Sequence, residues 1–284
     1  GMTSFCFSQD LSSSELKDIE AKVIKWRRHF HQNPELSNRE FNTAKVIAKH
    51  LKSLGIETQE NVAKTGVVGV LKGPTGTKVV ALRADIDALP VRERNDLEFK
   101  STVVSEYLGK EVGVMHACGH DVHSSCLLGI ARILNDLKDE WEGTVKLIFQ
   151  QGEEKLPGGA SLLIEAGVLE NPKPEAIFAL HVYPHLPSGT VGFKAGQYMA
   201  STDEIYITIE GKSGHAALPH QTVDPIAISA LVITGLQQVI SRKGNPIIPS
   251  VLTFGKIEAG FATNVIPDKL ELWGTLRTMD EDWR

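Results

Sequence analysis

The sequence predicts an α/β fold: a mostly parallel sheet flanked by helices, followed by a smaller α+β unit of split β-α-β type. Three observations carry that prediction. Apolar runs of strand length alternate with helical periodicity through roughly the first 180 residues, the pattern of parallel strands joined by crossover helices. Runs such as Val79-Val80-Ala81-Leu82 are continuously apolar, as strands buried on both faces are. Further on, Ile205, Ile207 and Ile209 alternate with Tyr206 and Thr208, which marks a sheet with one solvated face.

Ser12 to Ser14 followed by Glu15 is a helix-start signal. Leu16, Ile19, Val23, Trp26 and Phe30 then recur at three- and four-residue steps to about Gln32, and Asn33-Pro34 stops the helix. Asn38 is expected to cap a second helix carrying Phe41, Ala44, Ile47, Ala48 and Leu51 on one face, closed by Gly55. Val67–Lys72 and Lys78–Arg83 read as strands joined by Gly73-Pro74-Thr75-Gly76. Val122, Cys126, Leu127, Ile130, Leu134 and Leu137 make an amphipathic helix. The strand Thr144–Gln151 delivers Gly152-Glu153-Glu154. A helix over Ser161–Ala166 precedes a strand over Ala176–Val182, which holds His181 near its end. Tyr183 to Gly189 is linker-like in composition. Beyond it, a helix over Val223–Arg242 and strands at Ser250–Glu258 and Lys269–Thr278 complete the order β-α-β-β. The expected domains are therefore 1–188 and 189–284.

The 284 residues are 42% hydrophobic and 23% charged, ordinary globular material. A net charge of −5 without a Lys/Arg run leaves no footprint for nucleic acid. No apolar stretch is expected to reach bilayer-spanning length, so no membrane partner is predicted. Three cysteines, Cys6, Cys118 and Cys126, do not make a disulfide framework, and a cytoplasmic location is the expectation. Residues 2–13, with Cys6, read as an arm.

Met115-His116-Ala117-Cys118-Gly119-His120-Asp121-Val122-His123 concentrates imidazole, thiol and carboxylate, the side chains that bind zinc and similar ions. Gly119 allows a bend that brings Cys118 and His120 together. Alone, the stretch is equally compatible with a metal site and with a polar loop around a structural cysteine. Placement adds to it. Asp85 and Asp87, Glu153 and Glu154, and His181 each follow a predicted strand, and Cys118 and His120 precede a helix. In open α/β sheets the carboxyl edge is where ligands bind, so donor-type residues from four segments converge on one crevice.

Six ordered stretches resemble the M20 metallopeptidase family, in its amidohydrolase branch of N-acyl-amino-acid, hippurate and auxin-conjugate hydrolases. They are Arg28 to Leu36, Leu82 to Pro90, Met115 to His123, Phe149 to Glu154, Ala179 to Val182 and Gly211 to His220. The resemblance implies a catalytic metal-binding domain and a smaller lid or dimerisation domain. It implies metal-dependent hydrolysis of the amide of N-acyl amino acids, as by an aminoacylase or hippurate hydrolase. One or two divalent ions (Zn, Mn, Ni or Co) would be held by Cys118, His120, Glu154 and His181. Glu153 would be the general base, and Asp87 would orient an imidazole. Asp85 stands where other branches carry a histidine ligand. His215 would stabilise the oxyanion, although on its own residues it reads as a turn histidine. Asn264 and Arg277 would hold the substrate carboxylate, the arginine through its planar fork. The other histidines are set aside as structural or supporting.

The resemblance also implies a further histidine ligand from a later segment, and the sequence ends inside the lid. The expectation is therefore a shortened chain, with three readings: a truncated enzyme, one half of a split protein, or a catalytically incomplete fragment that only binds metal or dimerises. Unpaired sheet edges would invite another chain, so a homodimer or higher oligomer is expected.

Overall fold

The structure is a computed structural model and describes residues 11–284; Cys6 and most of the expected arm lie outside the described residues. The chain divides into two compact units, Gly1–His185 and Leu186–Arg284.

In the first unit, α1 (Ser13–Gln32) starts as its sequence predicts. The Glu15 N–H donates to the Ser12 hydroxyl at 3.3 Å and the Ser12 N–H donates to Glu15 Oε2 at 2.8 Å, a reciprocal capping box. α2 (Phe41–Ser53) begins later than expected, because its cap position is Glu40 rather than Asn38. Asn38 sits at φ 62°, in a left-handed turn that asparagine tolerates, and its N–H donates to Glu40 Oε1 at 2.7 Å. That carboxylate is fully buried. It also accepts from the Thr65 hydroxyl and from the Gly152 N–H at 2.9 Å. The turn therefore serves a buried acid as well as a helix start.

The strands are β1 (Glu57–Val62), β2 (Gly66–Lys72), β3 (Val79–Asp85), β4 (Val104–Tyr107), β5 (Lys110–Gly113), β6 (Thr144–Gln150) and β7 (Ala176–Ala179), with α3 (His120–Asp136) and α4 (Gly159–Glu165) between them. β4 and β5 form a separate hairpin. The main sheet has the order β1-β2-β6-β3-β7. β6, β3 and β7 are parallel to one another, whereas β2 is antiparallel to both β1 and β6. The sheet is thus mixed: four of its five strands run the same way and β2 alone is reversed. Two short connections account for the difference. A tight turn after β1, with Ala63 and Lys64 at positive φ, can join only antiparallel neighbours. The brief Gly73–Gly76 turn sends β3 back against β2, and β6 inserts between them. β1 has no apolar alternation in its sequence, Glu-Thr-Gln-Glu-Asn-Val, and so escaped prediction. The core between sheet and helices is built on Ile47, Leu51, Leu128, Leu147 and Phe149, all without exposure.

The second unit contains β8 (Asp203–Glu210), β9 (Gly214–His215), α5 (Pro225–Gln238), β10 (Ser250–Ala259), β11 (Val265–Ile266) and β12 (Lys269–Thr278). Its sheet has the order β10-β12-β8, with β12 antiparallel to both neighbours. β8 and β10 therefore run in the same direction on either side of β12, the split β-α-β arrangement. α5 is capped by Asp224, whose carboxylate accepts from the Ile226 N–H at 2.8 Å, and it packs on the sheet. With the π turn Val239–Lys243 that follows it, this helix is long and apolar enough, by length and composition, to cross a membrane. This differs from the expectation of no such stretch, because Ile, Leu, Val and Ala dominate both faces of the helix while only one face meets the sheet.

Candidate metal centre

Three parallel strands deliver the centre. In the parallel register Asp85 pairs with Gln150 and Arg83 with Ala179, so β3, β6 and β7 end together. Past those ends lie Asp85 and Asp87, then Glu153 and Glu154, then His181. The helix α3 starts at the same edge: Gly119 takes φ 91°, and His120 is the first residue of the helix. A side chain at Gly119 is excluded, because a Cβ there would stand 2.2 Å from Val182 Cγ2.

Donor atoms of Cys118, His120 and His181 lie within 4.8 Å of one another, as do those of His120, Glu153 and Glu154 and those of Asp85, His120 and His123. His120 belongs to all three groups. Cys118 Sγ is 3.4 Å from His181 Nε2, and His120 Nε2 is 3.8 Å from Glu154 Oε1. Ligands about 2.0–2.3 Å from one tetrahedral ion are separated by roughly 3.3–3.8 Å, so these spacings suit a shared cation. His120 Nε2 and Glu154 Oε1 are both buried without a hydrogen-bond partner. Buried polar atoms left unpaired are rare and costly, and a cation between them would satisfy both. The residues fit a divalent ion.

Supporting bonds fix the donors. His120 Nδ1 is 3.2 Å from Asp87 Oδ1, which leaves Nε2 to face the crevice. Asp87 Oδ2 accepts from the Glu154 N–H at 3.0 Å and from the Ser37 hydroxyl at 2.6 Å. His181 Nδ1 donates to its neighbour's carbonyl, Val182 O, at 2.8 Å, turning Nε2 toward Cys118. A carboxylate or carbonyl behind each imidazole is the usual arrangement in metal sites.

Charge in the site is strongly negative. Burial alone would lower the His120 pKa, but the bond to Asp87, the nearby Cys118 sulfur and the charges of Asp85 and Asp87 outweigh it and raise it to about 11. The carboxylates that hold a second proton on this ring would equally hold a cation in its place. Glu153 moves upward from the usual carboxylate range, first through desolvation and then through the charge of Glu154, as suits a proton-accepting base. Asp85 is held below its ordinary range: burial opposes this, but the bond to His123 and the Arg83 guanidinium prevail.

The remaining predicted residues lie in the second unit. His215 of β9 is paired with Val265 of β11, and the carbonyl of Asn264 accepts from the Ala216 N–H at 3.0 Å, so His215 and Asn264 are neighbours. His215 is exposed, and its Nδ1 accepts from the Ala217 N–H at 3.1 Å. Arg277 is exposed near the far end of β12, opposite Val251 of β10, and is not brought to the other two within this unit.

Sequence reasoning passed over Ser37 and Glu40, and placed His123 among the structural or supporting histidines without naming its partner. The first two act on the centre from a loop remote in sequence, with no local signal. His123 had one: three residues after His120 on a helix, it shares that residue's face, and it bonds Asp85 at 2.7 Å.

A thiol–imidazole–carboxylate centre built round the buried His120 at the carboxyl edge of an α/β sheet, with a second glutamate beside it, defines the class as a metal-dependent hydrolase. Residues 81–275 match the model of Peptidase family M20/M25/M40. The chain is 43% identical over 267 residues to an N-acyl-L-amino acid amidohydrolase of Geobacillus stearothermophilus, covering 94% of this chain and 70% of that protein. It is 44% identical over 269 residues to an N-acetyl-L-cysteine deacetylase of Bacillus subtilis, covering 95% and 62%. The crystal structure of Bacillus subtilis YXEP, described as a dinuclear metal binding peptidase of the M20 family, superposes with a TM-score of 0.73 at 40% identity, covering 94% of this chain and 66% of that one. The chain belongs to Peptidase family M20/M25/M40, and it spans about two thirds of the length of these relatives.

Proposed function

We propose that the protein hydrolyses the amide bond of N-acyl amino acids, releasing a carboxylate and a free amino acid. The observation that carries this reading is the pair of unpartnered buried atoms, His120 Nε2 and Glu154 Oε1, beside Glu153 with its raised pKa. The names of the similar amidohydrolase and deacetylase support the substrate class.

Cys118, His120, Glu154 and His181 would hold one or two divalent ions, with zinc favoured by the thiolate and manganese, nickel and cobalt the alternatives. Such an ion supplies Lewis acidity and brings the pKa of water toward neutrality. Glu153 takes the proton of the attacking water and passes it to the departing nitrogen, which needs a carboxylate close to the site but not committed to a ligand role. Asp87 keeps the proton of His120 on Nδ1 and anchors the Glu154 backbone, so one carboxylate aligns both donors. In the second unit, His215 would stabilise the oxyanion, and Asn264 and Arg277 would bind the substrate carboxylate. This assignment makes 1–188 the catalytic domain and 189–284 the lid. The reading includes a cytoplasmic enzyme acting as a homodimer or higher oligomer.

The test is elemental analysis of the purified chain together with hydrolysis of hippurate and N-acetyl amino acids. One or two divalent ions per chain with turnover is the expected result. Bound ion with no hydrolysis of any N-acyl amino acid overturns the activity and leaves a metal-binding or dimerising module. A chain that takes up no ion overturns the centre itself.

A further inference from the structure

We propose that His123 is a positioning residue that sets the His181 donor by gripping the peptide next to it, and that it is not itself a metal ligand. The inference rests on His181 being a ligand, as proposed above.

His123 is 1% exposed, and both ring nitrogens are engaged. Its Nε2 accepts from the Val182 N–H at 2.9 Å. A nitrogen facing an N–H must present its lone pair, so the ring proton is on Nδ1, where it donates to Asp85 Oδ1 at 2.7 Å. Asp85 is fixed in turn by Arg83 Nη1 on Oδ2 at 2.7 Å. This tautomer, set by its two neighbours, leaves His123 no lone pair for an ion, although its atoms lie within the Asp85–His120–His123 group.

The Val182 unit is held at three points. Its N–H is bound by His123, its carbonyl accepts from His181 Nδ1 at 2.8 Å, and its Cγ2 occupies the space a side chain at Gly119 would need. The His123 and His181 rings meet edge-on, 4.5 Å between centroids. A shift of the Val182 peptide therefore rotates His181 and moves its Nε2 from Cys118. Within the sheet, His181 follows a strand whose four residues are all exposed, so this grip supplies support that strand packing does not.

The two arms can be separated. In His123→Gln the side-chain oxygen can reach the Nε2 position and accept from Val182. In His123→Asn the amide nitrogen can reach the Nδ1 position and donate to Asp85, but the bond to Val182 is lost. The probe is Co²⁺, titrated into metal-free protein and followed by its absorption, including the thiolate-to-cobalt band that Cys118 would give. His123→Asn is expected to weaken Co²⁺ binding about 10–100-fold at unchanged stoichiometry, with His123→Gln restoring most of that loss. Wild-type affinity in His123→Asn overturns the proposal, as does loss of a bound equivalent in both variants, which would make His123 a ligand. If neither variant folds, Val182→Pro removes the donated N–H with His123 intact; unchanged Co²⁺ affinity there overturns the proposal. His181→Ala is the separate control: if it binds Co²⁺ as the wild type does, the ligand assignment fails, not the grip.

Discussion

Asp87 joins two donors of the centre: its Oδ1 lies 3.2 Å from His120 Nδ1 and its Oδ2 accepts the Glu154 N–H at 3.0 Å. Asp87→Asn keeps the shape but presents an amide group to one of these donors. Metal affinity should fall about 10–100-fold, read by competition against a chromophoric chelator. Unchanged affinity would mean that the imidazole is oriented by other contacts.

Glu153→Gln separates proton transfer from metal binding. Hydrolysis of N-acyl amino acids should fall by about 10²–10⁴ while elemental analysis finds the ion retained. If the ion is lost instead, Glu153 and Glu154 have exchanged roles.

Gly119→Ala should be destabilising. The position has φ 91°, and a Cβ there meets Val182 Cγ2 at 2.2 Å. Left-handed backbone alone costs a non-glycine residue about 1–2 kcal/mol, and the clash adds to it. Urea unfolding measures the loss; a variant as stable as the wild type would show that the loop moves freely.

His31 gives a pH dependence with a definite sign. Its Nδ1 is 2.8 Å from Asp121 Oδ2 and its Nε2 is 2.9 Å from Glu93 Oε1. The bond to Asp121, opposed by burial and helped by Glu93, raises its pKa above 6.5. A base whose folded pKa is raised contributes stability that is complete below pH 6.5 and lost as pH rises through the folded value. NMR titration of His31, with urea melts at stepped pH, should show both. A His31 titrating at or below 6.5 contradicts the prediction.

Much of this was legible in the sequence because it depends on local pattern. The capping box at Ser12 and Glu15, the buried strands, the exit of Asp85 and Asp87 from one strand and of Glu153 and Glu154 from another, and the helix start at His120 all follow from periodicity and turn residues. Long-range consequences were not legible. The reversal of β2 depends on which strand fills the gap beside β3, and β1 is a strand only because β2 pairs with it. Glu40 looked like a helix residue because nothing nearby in sequence shows that Gly152 and Thr65 will meet it. His123 was legible only as a structural or supporting histidine, because the backbone N–H it accepts from lies 59 positions away.

Among the described residues β7 is an edge strand of its sheet, and all four of its residues are exposed; His181 comes just after it. The other donors follow buried strands or open a buried helix. The centre is therefore closed by the part of the sheet with least packing to hold it, where local opening costs least. A cation held by His181 and the other donors steadies the strand that carries His181, and a strand already steadied raises the affinity for the cation. The ion then acts as a clasp on the margin of the sheet, and its occupancy should be visible as slowed amide exchange along β7.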